Sequence, residues 1–493
     1  MKVFVLIVLI FFKGQSWAGW AEETLQQLTL QEKIGQLFVI PALPNFEEAC
    51  LSQTIATYHI GAILMKQTSS PTQHIALIRA LQTHSNLPLL CIGDAEYGLA
   101  MRMQNTLSFP KNLALGAIRD EHLLYEFGEM VGKQCKLVGI HLNLAPVVDV
   151  NDPSSCPIMK MRSFGDDPNA VSIRAVQVIN GMQNAGVLSC AKHFPGHGSA
   201  QVDSHEALPT IFSSLSHLER VDLAPFKQVI DRANVAAIMS GHLHVPALDE
   251  NNPASLSHPI ITNLLKKEWG FEGLIITDAL NMKALSTNYT TEQIALGAFI
   301  AGHDLLLYGA HLPNDVREIL EKTIPHAFSA IERGVMDGRI SEAELDARVL
   351  KVLSVKETLG LHHDHLGKAS HEGVMDKLHS REARALQQKL YSEAVLIARN
   401  GGGLIPAKSA KYVKLWEEKR PPKRCKSTLV IGINHLNQFP ELRKICAKHP
   451  RVIIALFLPH YLLRYTPETP TVVGYELCAE SERAVWQTIT GTK

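Results

Sequence analysis

Short apolar runs and longer amphipathic stretches alternate along the first part of the chain. The runs Gln36–Ile40, Gly61–Met65, Leu87–Ile92, His141–Val148, Gly186–Ala191, Val235–Ser240, Gly273–Thr277 and Asp304–Tyr308 read as buried strands. Thr72–Thr83, Glu121–Leu137, Ala170–Asn184, Leu215–Arg232 and Ile260–Trp269, between them, repeat apolar residues at helical spacing. Strand–helix alternation predicts βα units and a parallel sheet, and eight such units predict a (β/α)8 barrel. The competing fold, an open doubly wound sheet, usually carries a glycine-rich phosphate loop after an early strand. No such loop follows any early run here.

The texture changes after Leu361. His362-His363-Asp364-His365 opens a polar stretch that reads as a linker over 362–380. Arg381–Arg399 then has a helical pattern, and Val413–Leu415, Ser427–Ile431 and Val452–Phe457 read as strands. The expected fold class is therefore α/β: a (β/α)8, TIM-like barrel over 19–361, then a short α/β unit over 381–493, resembling an αβα sandwich. At the other end, Lys2 precedes apolar Val3 to Phe12, and Ser16-Trp17-Ala18 offers a small-x-small cleavage site. That is a signal-peptide pattern over 1–18, too short for the roughly 20 residues that span a bilayer. It predicts export to the periplasm or medium, with no stable membrane span after cleavage; a start codon placed too early would instead leave the protein in the cytoplasm.

Composition narrows the function. Of 493 residues, 46% are hydrophobic, and acidic and basic residues balance at 48 each. A neutral chain with scattered Lys and Arg gives no electrostatic footprint for nucleic acid. Its eight cysteines are dispersed without a C-x-x-C pair, which argues against a zinc ribbon or thioredoxin motif.

Chemistry gathers where the strands end. Asp94 and Glu96 follow the third run, Asp149 ends the fourth, Lys192 and His193 the fifth, His242 and His244 the sixth, and Asp278 the seventh. In a (β/α)8 barrel those ends form the active face. The densest stretch is Lys192-His193-Phe194-Pro195-Gly196-His197-Gly198, followed by Asp203-Ser204-His205. Pro195 and two glycines stop the strand and force a loop. An Asp two residues before a His can bind the imidazole, fix its tautomer and raise its pKa, which suits a general acid/base. Asp278 reads either as a carboxylate at the barrel mouth or as a cap of the next helix. Met282 reads as core or as a contact.

These stretches, with Asn143-Leu144-Ala145-Pro146-Val147-Val148-Asp149-Val150, Arg162-Ser163-Phe164-Gly165-Asp166-Asp167-Pro168 and Ile275-Ile276-Thr277-Asp278-Ala279-Leu280-Asn281-Met282, resemble family 3 glycoside hydrolases. More narrowly, they are similar to the exo-β-N-acetylglucosaminidase branch. Asp94-Ala95-Glu96-Tyr97-Gly98-Leu99-Ala100-Met101-Arg102 resembles its two-domain members. The resemblance implies retaining hydrolysis of terminal β-linked N-acetylglucosamine, with cell-wall peptidoglycan or other glycans as the partner. It implies Asp278 as nucleophile and His205, polarised by Asp203, as acid/base. Asp94, Arg102, Arg162, Lys192, His193 and Met282 are its implied sugar contacts. The charged ones read equally as a structural ion-pair network at the barrel rim, and Glu96 and Asp149 read as groups that orient neighbours. Gly196, Gly198 and Ser199 would let the loop swing.

Other readings stay open. A β-glucosidase or phosphorylase of the same family shares the nucleophile, and a non-catalytic glycan-binding relative shares the fold. A metal site would draw on His193-x3-His197, Asp203, His205 and His242-Leu243-His244. Barrel metallohydrolases normally carry His-x-His at the end of the first strand, where this chain has Pro41-Ala42-Leu43. Neither metal nor cofactor is expected.

Overall fold

The computed structural model describes residues 19–44, 46–65, 70–152, 160–204, 206–310, 313–363, 370–401, 403–407, 409–417 and 427–492. The signal-peptide pattern over 1–18 lies outside them. Eight parallel strands form the first sheet: β1 (Phe38–Ala42), β2 (Ala62–Met65), β3 (Leu90–Gly93), β4 (Leu142–Asn143), β5 (Leu188–Phe194), β6 (Ala237–Ser240), β7 (Leu274–Thr277) and β8 (Leu306–Leu307). Their order is β7-β6-β5-β4-β3-β2-β1-β8. A bridge between Ile276 and Leu305 joins the two ends of that order, with Thr277 N–H donating to Leu305 O at 3.1 Å. The result is the (β/α)8 barrel.

Each strand buries both faces, which is why the runs are continuously apolar rather than alternating. Val39, Leu64, Ile92, Cys190, Met239 and Ile276 fill the barrel interior. Their neighbours Phe38, Ile40, Ile63 and Cys91 pack outward against helices. The helix Glu342–Thr358 and the turn after it close the floor with Val352, Val355, Leu359 and Leu361. That helix also holds the start of the described chain, since Trp20 N–H donates to Glu357 Oε1 at 2.7 Å.

Two sequence expectations shift. The stretch Leu215–Arg232 is two helices, Leu215–Arg220 and Ala224–Ala233, broken at Val221-Asp222-Leu223 ahead of Pro225. Arg381–Arg399 is a helix only to Ala394 and then becomes β9 (Leu396–Arg399).

The second sheet adds β10 (Ala410–Lys414), β11 (Thr428–Ile433), β12 (Val452–Leu456) and β13 (Thr471–Val473), in the order β10-β11-β12-β13-β9. Only the β13–β9 pairing is antiparallel. The helix Phe439–Lys448 packs with one face of this sheet and Ala479–Thr490 with the other. The stretch 362–380 contains the short helix Val374–Leu378. Contacts from the second unit reach the segment that follows β3. Glu476 Oε1 accepts from Lys111 N–H at 2.9 Å, and Gln387 Nε2 donates to Ser108 O at 2.8 Å.

Candidate active site

The polar ends of β3, β5 and β7 meet at the barrel mouth. Lys192, near the C-terminal end of β5, donates from Nζ to Asp94 Oδ1 at 2.9 Å and lies 3.0 Å from Glu96 Oε1. Arg102 pairs with the other oxygen of Asp94. Arg162 reaches Glu96 from the segment after β4, with Nη2 2.6 Å from Oε1 and Nε 3.1 Å from Oε2. Two carboxylates thus share three cations. A reciprocal amide clamp steadies the Asp94–Glu96 turn: Ala95 N–H donates to Asn143 Oδ1 at 2.9 Å, and Asn143 Nδ2 donates to Ala95 O.

Burial would raise both carboxyls, but the cations outweigh it. Lys192 and Arg102 hold Asp94 well below the usual carboxylate range. Arg162 and Lys192 bring Glu96 to about 2. Asp94 and Glu96 are therefore ionised throughout the range of ordinary assays.

Asp149, fully buried, organises the end of β5. Its Oδ1 accepts from the backbone N–H of His193 (3.1 Å) and of His197 (2.7 Å), and its Oδ2 lies 2.8 Å from His193 Nδ1. A carboxylate there accepts a hydrogen bond from Nδ1–H of His193, which fixes the tautomer of the ring.

Asp278 follows β7, with its N–H bonded to Ser240 O at 2.9 Å. Its Oδ1 accepts from Ala279 N–H at 2.7 Å. Burial would raise this carboxyl. The charges of His193 and His242, the Ala279 N–H and Lys192 outweigh that and hold it at about 2. Asp278, Asn281, Met282, Lys283 and Tyr308 line a cavity of about 560 Å³. Met282 is half-buried, caps the short helix Lys283–Ser286, and packs against the barrel interior.

The loop after β5 carries the remaining candidates. Asp203 accepts through its carbonyl from Glu206 and Ala207 N–H. His205 lies outside the described residues. His197 Nε2 is 3.2 Å from Ser204 Oγ, which draws the two ends of the loop together. The glycines here are packed rather than loose. A Cβ on Gly198 would sit 1.6 Å from Val150 O, and one on Gly196 (φ +125°) would sit 2.7 Å from Asp222 Cβ. Both positions need glycine for close approach, so the root of the loop that the sequence suggests as a hinge is closely packed here.

The structure brings Asp94, Arg102, Arg162, Lys192 and His193 to one end of the barrel with Asp278 and Met282. Sequence reasoning undervalued Glu96, whose partners lie 66 and 96 residues onward in the chain. It considered His242 only as a possible metal ligand and not as part of the sugar site; the ring is fully buried, its Nε2–H donates to Ala279 O at 2.9 Å and its Nδ1 is 2.8 Å from Ser255 Oγ. Its strand-end position was the available signal. Among the described residues, no cluster of three or more His, Cys, Asp or Glu has the geometry to hold a metal ion.

A (β/α)8 barrel whose mouth gathers an ionised carboxylate and a net of paired charges has the architecture of a barrel enzyme, with its chemistry at the C-terminal strand ends. Residues 29–355 match the Glycosyl hydrolase family 3 N terminal domain, and the chain belongs to that family of glycoside hydrolases. It is similar to beta-hexosaminidase A of Pseudoalteromonas piscicida, 29% identical over 449 residues, covering 82% of this chain and 72% of that one. It is 31% identical over 339 residues to beta-hexosaminidase LpqI of Mycobacterium tuberculosis, covering 67% of this chain and 83% of that one. A solved glycoside hydrolase family 3 beta-N-acetylglucosaminidase from Paenibacillus sp. FPU-7 superposes with a TM-score of 0.79 at 26% identity, covering 94% of this chain and 97% of that one.

Proposed function

We propose that this enzyme removes terminal β-linked N-acetylglucosamine with retention, through a covalent intermediate on Asp278. The observation that carries the reading is the Asp278 carboxylate. It is ionised, tied by one oxygen to Ala279 N–H, and set at the mouth within reach of the Lys192 charge that belongs to the Asp94–Glu96–Lys192 net. An oxygen of Asp278 attacks the anomeric carbon while the leaving oxygen takes a proton from His205. Water then attacks the same carbon, its proton passes to His205, and the Asp278 carboxylate is released. Asp203 holds the imidazole in the working tautomer. Asp94, Arg102, Arg162, Lys192 and His193 bind sugar hydroxyls, and Met282 borders the acetamido group. The names of the relatives support the substrate class.

The same reading extends to the whole chain. The barrel over 19–361 is the glycosidase domain and 381–493 a supporting domain, joined by 362–380. The pattern over 1–18 directs export, and the glycan is a cell-wall or related polymer. Among the described residues, no helix is long and apolar enough to cross a membrane.

The test compares p-nitrophenyl β-N-acetylglucosaminide with the β-glucoside, each with and without added phosphate. Preference for the acetamido sugar at a rate independent of phosphate is the expected result. Preference for glucoside, or a rate that needs phosphate, overturns it.

A further inference from the structure

We infer that Asp222 is a positioning residue that fixes the root of the 195–207 loop, so that loop movement begins beyond Ser199. The inference rests on the reading of Asp203 and His205 as the acid/base pair carried by that loop. Asp222 sits in the break between the helices Leu215–Arg220 and Ala224–Ala233 and is fully buried. Its Oδ1 accepts from Ser199 Oγ at 3.2 Å. Its Cβ leaves no room for a side chain on Gly196. On the far side of the same turn, Gly198 is pressed against the Val150 carbonyl. Gly196, Gly198 and Ser199 are thus held from two directions, and Ser199 Oγ is the one side-chain donor at hydrogen-bond distance from the Asp222 carboxyl among the described residues.

A buried carboxyl with one side-chain donor and an unpartnered Oδ2 is an expensive way to hold a turn unless it carries a proton. The groups facing Asp222 are His217, whose Nε2 is 3.9 Å from Oδ2, and the carboxylates of Asp149 and Asp152. Burial pushes Asp222 up to about 7, Ser199 pulls it down, and Asp149 and Asp152 add to the rise. The neutral acid is therefore the form that matches this pocket below neutrality. Asparagine is its nearest permanent mimic.

The experiment uses the full chain as wild type, Asp222→Asn, Asp222→Ala and Ser199→Ala. Hydrogen exchange of the peptide covering 196–204 is measured together with kcat and KM on N,N′-diacetylchitobiose. Both alanine variants are expected to raise exchange in that peptide about tenfold and to lower kcat about tenfold, with KM within twofold. Asp222→Asn should stay near wild type in both. Should Asp222→Ala fail to fold, Ser199→Ala alone decides. Wild type inactive on every β-N-acetylglucosaminide would refute the functional reading, and exchange would then decide the loop contact by itself. Unchanged exchange in the alanine variants overturns the inference, as does raised exchange with unchanged kcat.

Discussion

Asp278 carries the sharpest residue-scale expectation. With its carboxyl held at about 2, it is ionised at any practical assay pH, so the acid limb of activity should not follow it. Asp278→Ala should lower kcat by about 10⁴-fold or more, because no covalent intermediate can form. Circular dichroism should show an intact fold. Wild-type-like turnover by a folded variant would remove Asp278 from the mechanism. His205→Ala should be impaired most on diacetylchitobiose, whose leaving group needs a proton, and least on an activated aryl glycoside. Equal losses on both would reduce His205 to a sugar contact. Asp222 links to stability with the opposite sign from a salt-bridged carboxylate. Its folded value of about 7 lies above the ordinary 3.8. Between those values the folded protein keeps a proton that the unfolded chain has released, so stability falls as pH rises through that window. Asp222→Asn should therefore gain a few degrees in Tm at pH 8 and little at pH 4. An identical difference at both pH values would show that Asp222 does not titrate there.

At the scale of elements, the strands most legible from sequence were those buried on both faces. β4 and β8 contribute only two ladder residues each, yet their apolar runs marked them because their flanks are buried as well. β9 was hidden for the converse reason. Leu396–Arg399 has no fully buried residue and continues directly from an amphipathic helix, so periodicity ran through the boundary. β13 is three residues long and offers too little pattern. The break at Val221-Asp222-Leu223 escaped notice because apolar spacing persists across it, and Asp222 escaped with it. The site divides in the same way. Asp94, Lys192, His193 and Asp278 stand at strand ends and could be read one by one. The sharing of Glu96 between Arg162 and Lys192 depends on which strands lie side by side, which spacing does not encode. The Gly198 contact gives an element-scale check. Gly198→Ala forces its Cβ into the Val150 carbonyl and should cost about 1–3 kcal/mol in urea unfolding. A neutral result would mean that this turn is loose.

At the scale of the whole molecule, the second unit touches the barrel on the segment that carries the proposed sugar contact Arg102. The segment from Tyr97 to Lys111 carries Arg102, and the second unit grips it through Ser108 and Lys111. Glu476→Ala would strand the Lys111 N–H and should cost about 1–3 kcal/mol. Its loss should also weaken sugar binding, seen as a higher KM with kcat nearly unchanged. A purely structural contact would lower Tm and leave KM alone.

The permanently charged Asp278 also sets what should jam this enzyme. A carboxylate that stays ionised down to about pH 2 is a standing counter-ion for a cationic ring. A piperidine mimic of the sugar, bearing an acetamido arm and a protonated ring nitrogen, would meet that charge across the full acid range. Its potency should fade only as pH climbs past the inhibitor's own amine pKa, so the drug rather than the protein would write the pH profile of inhibition.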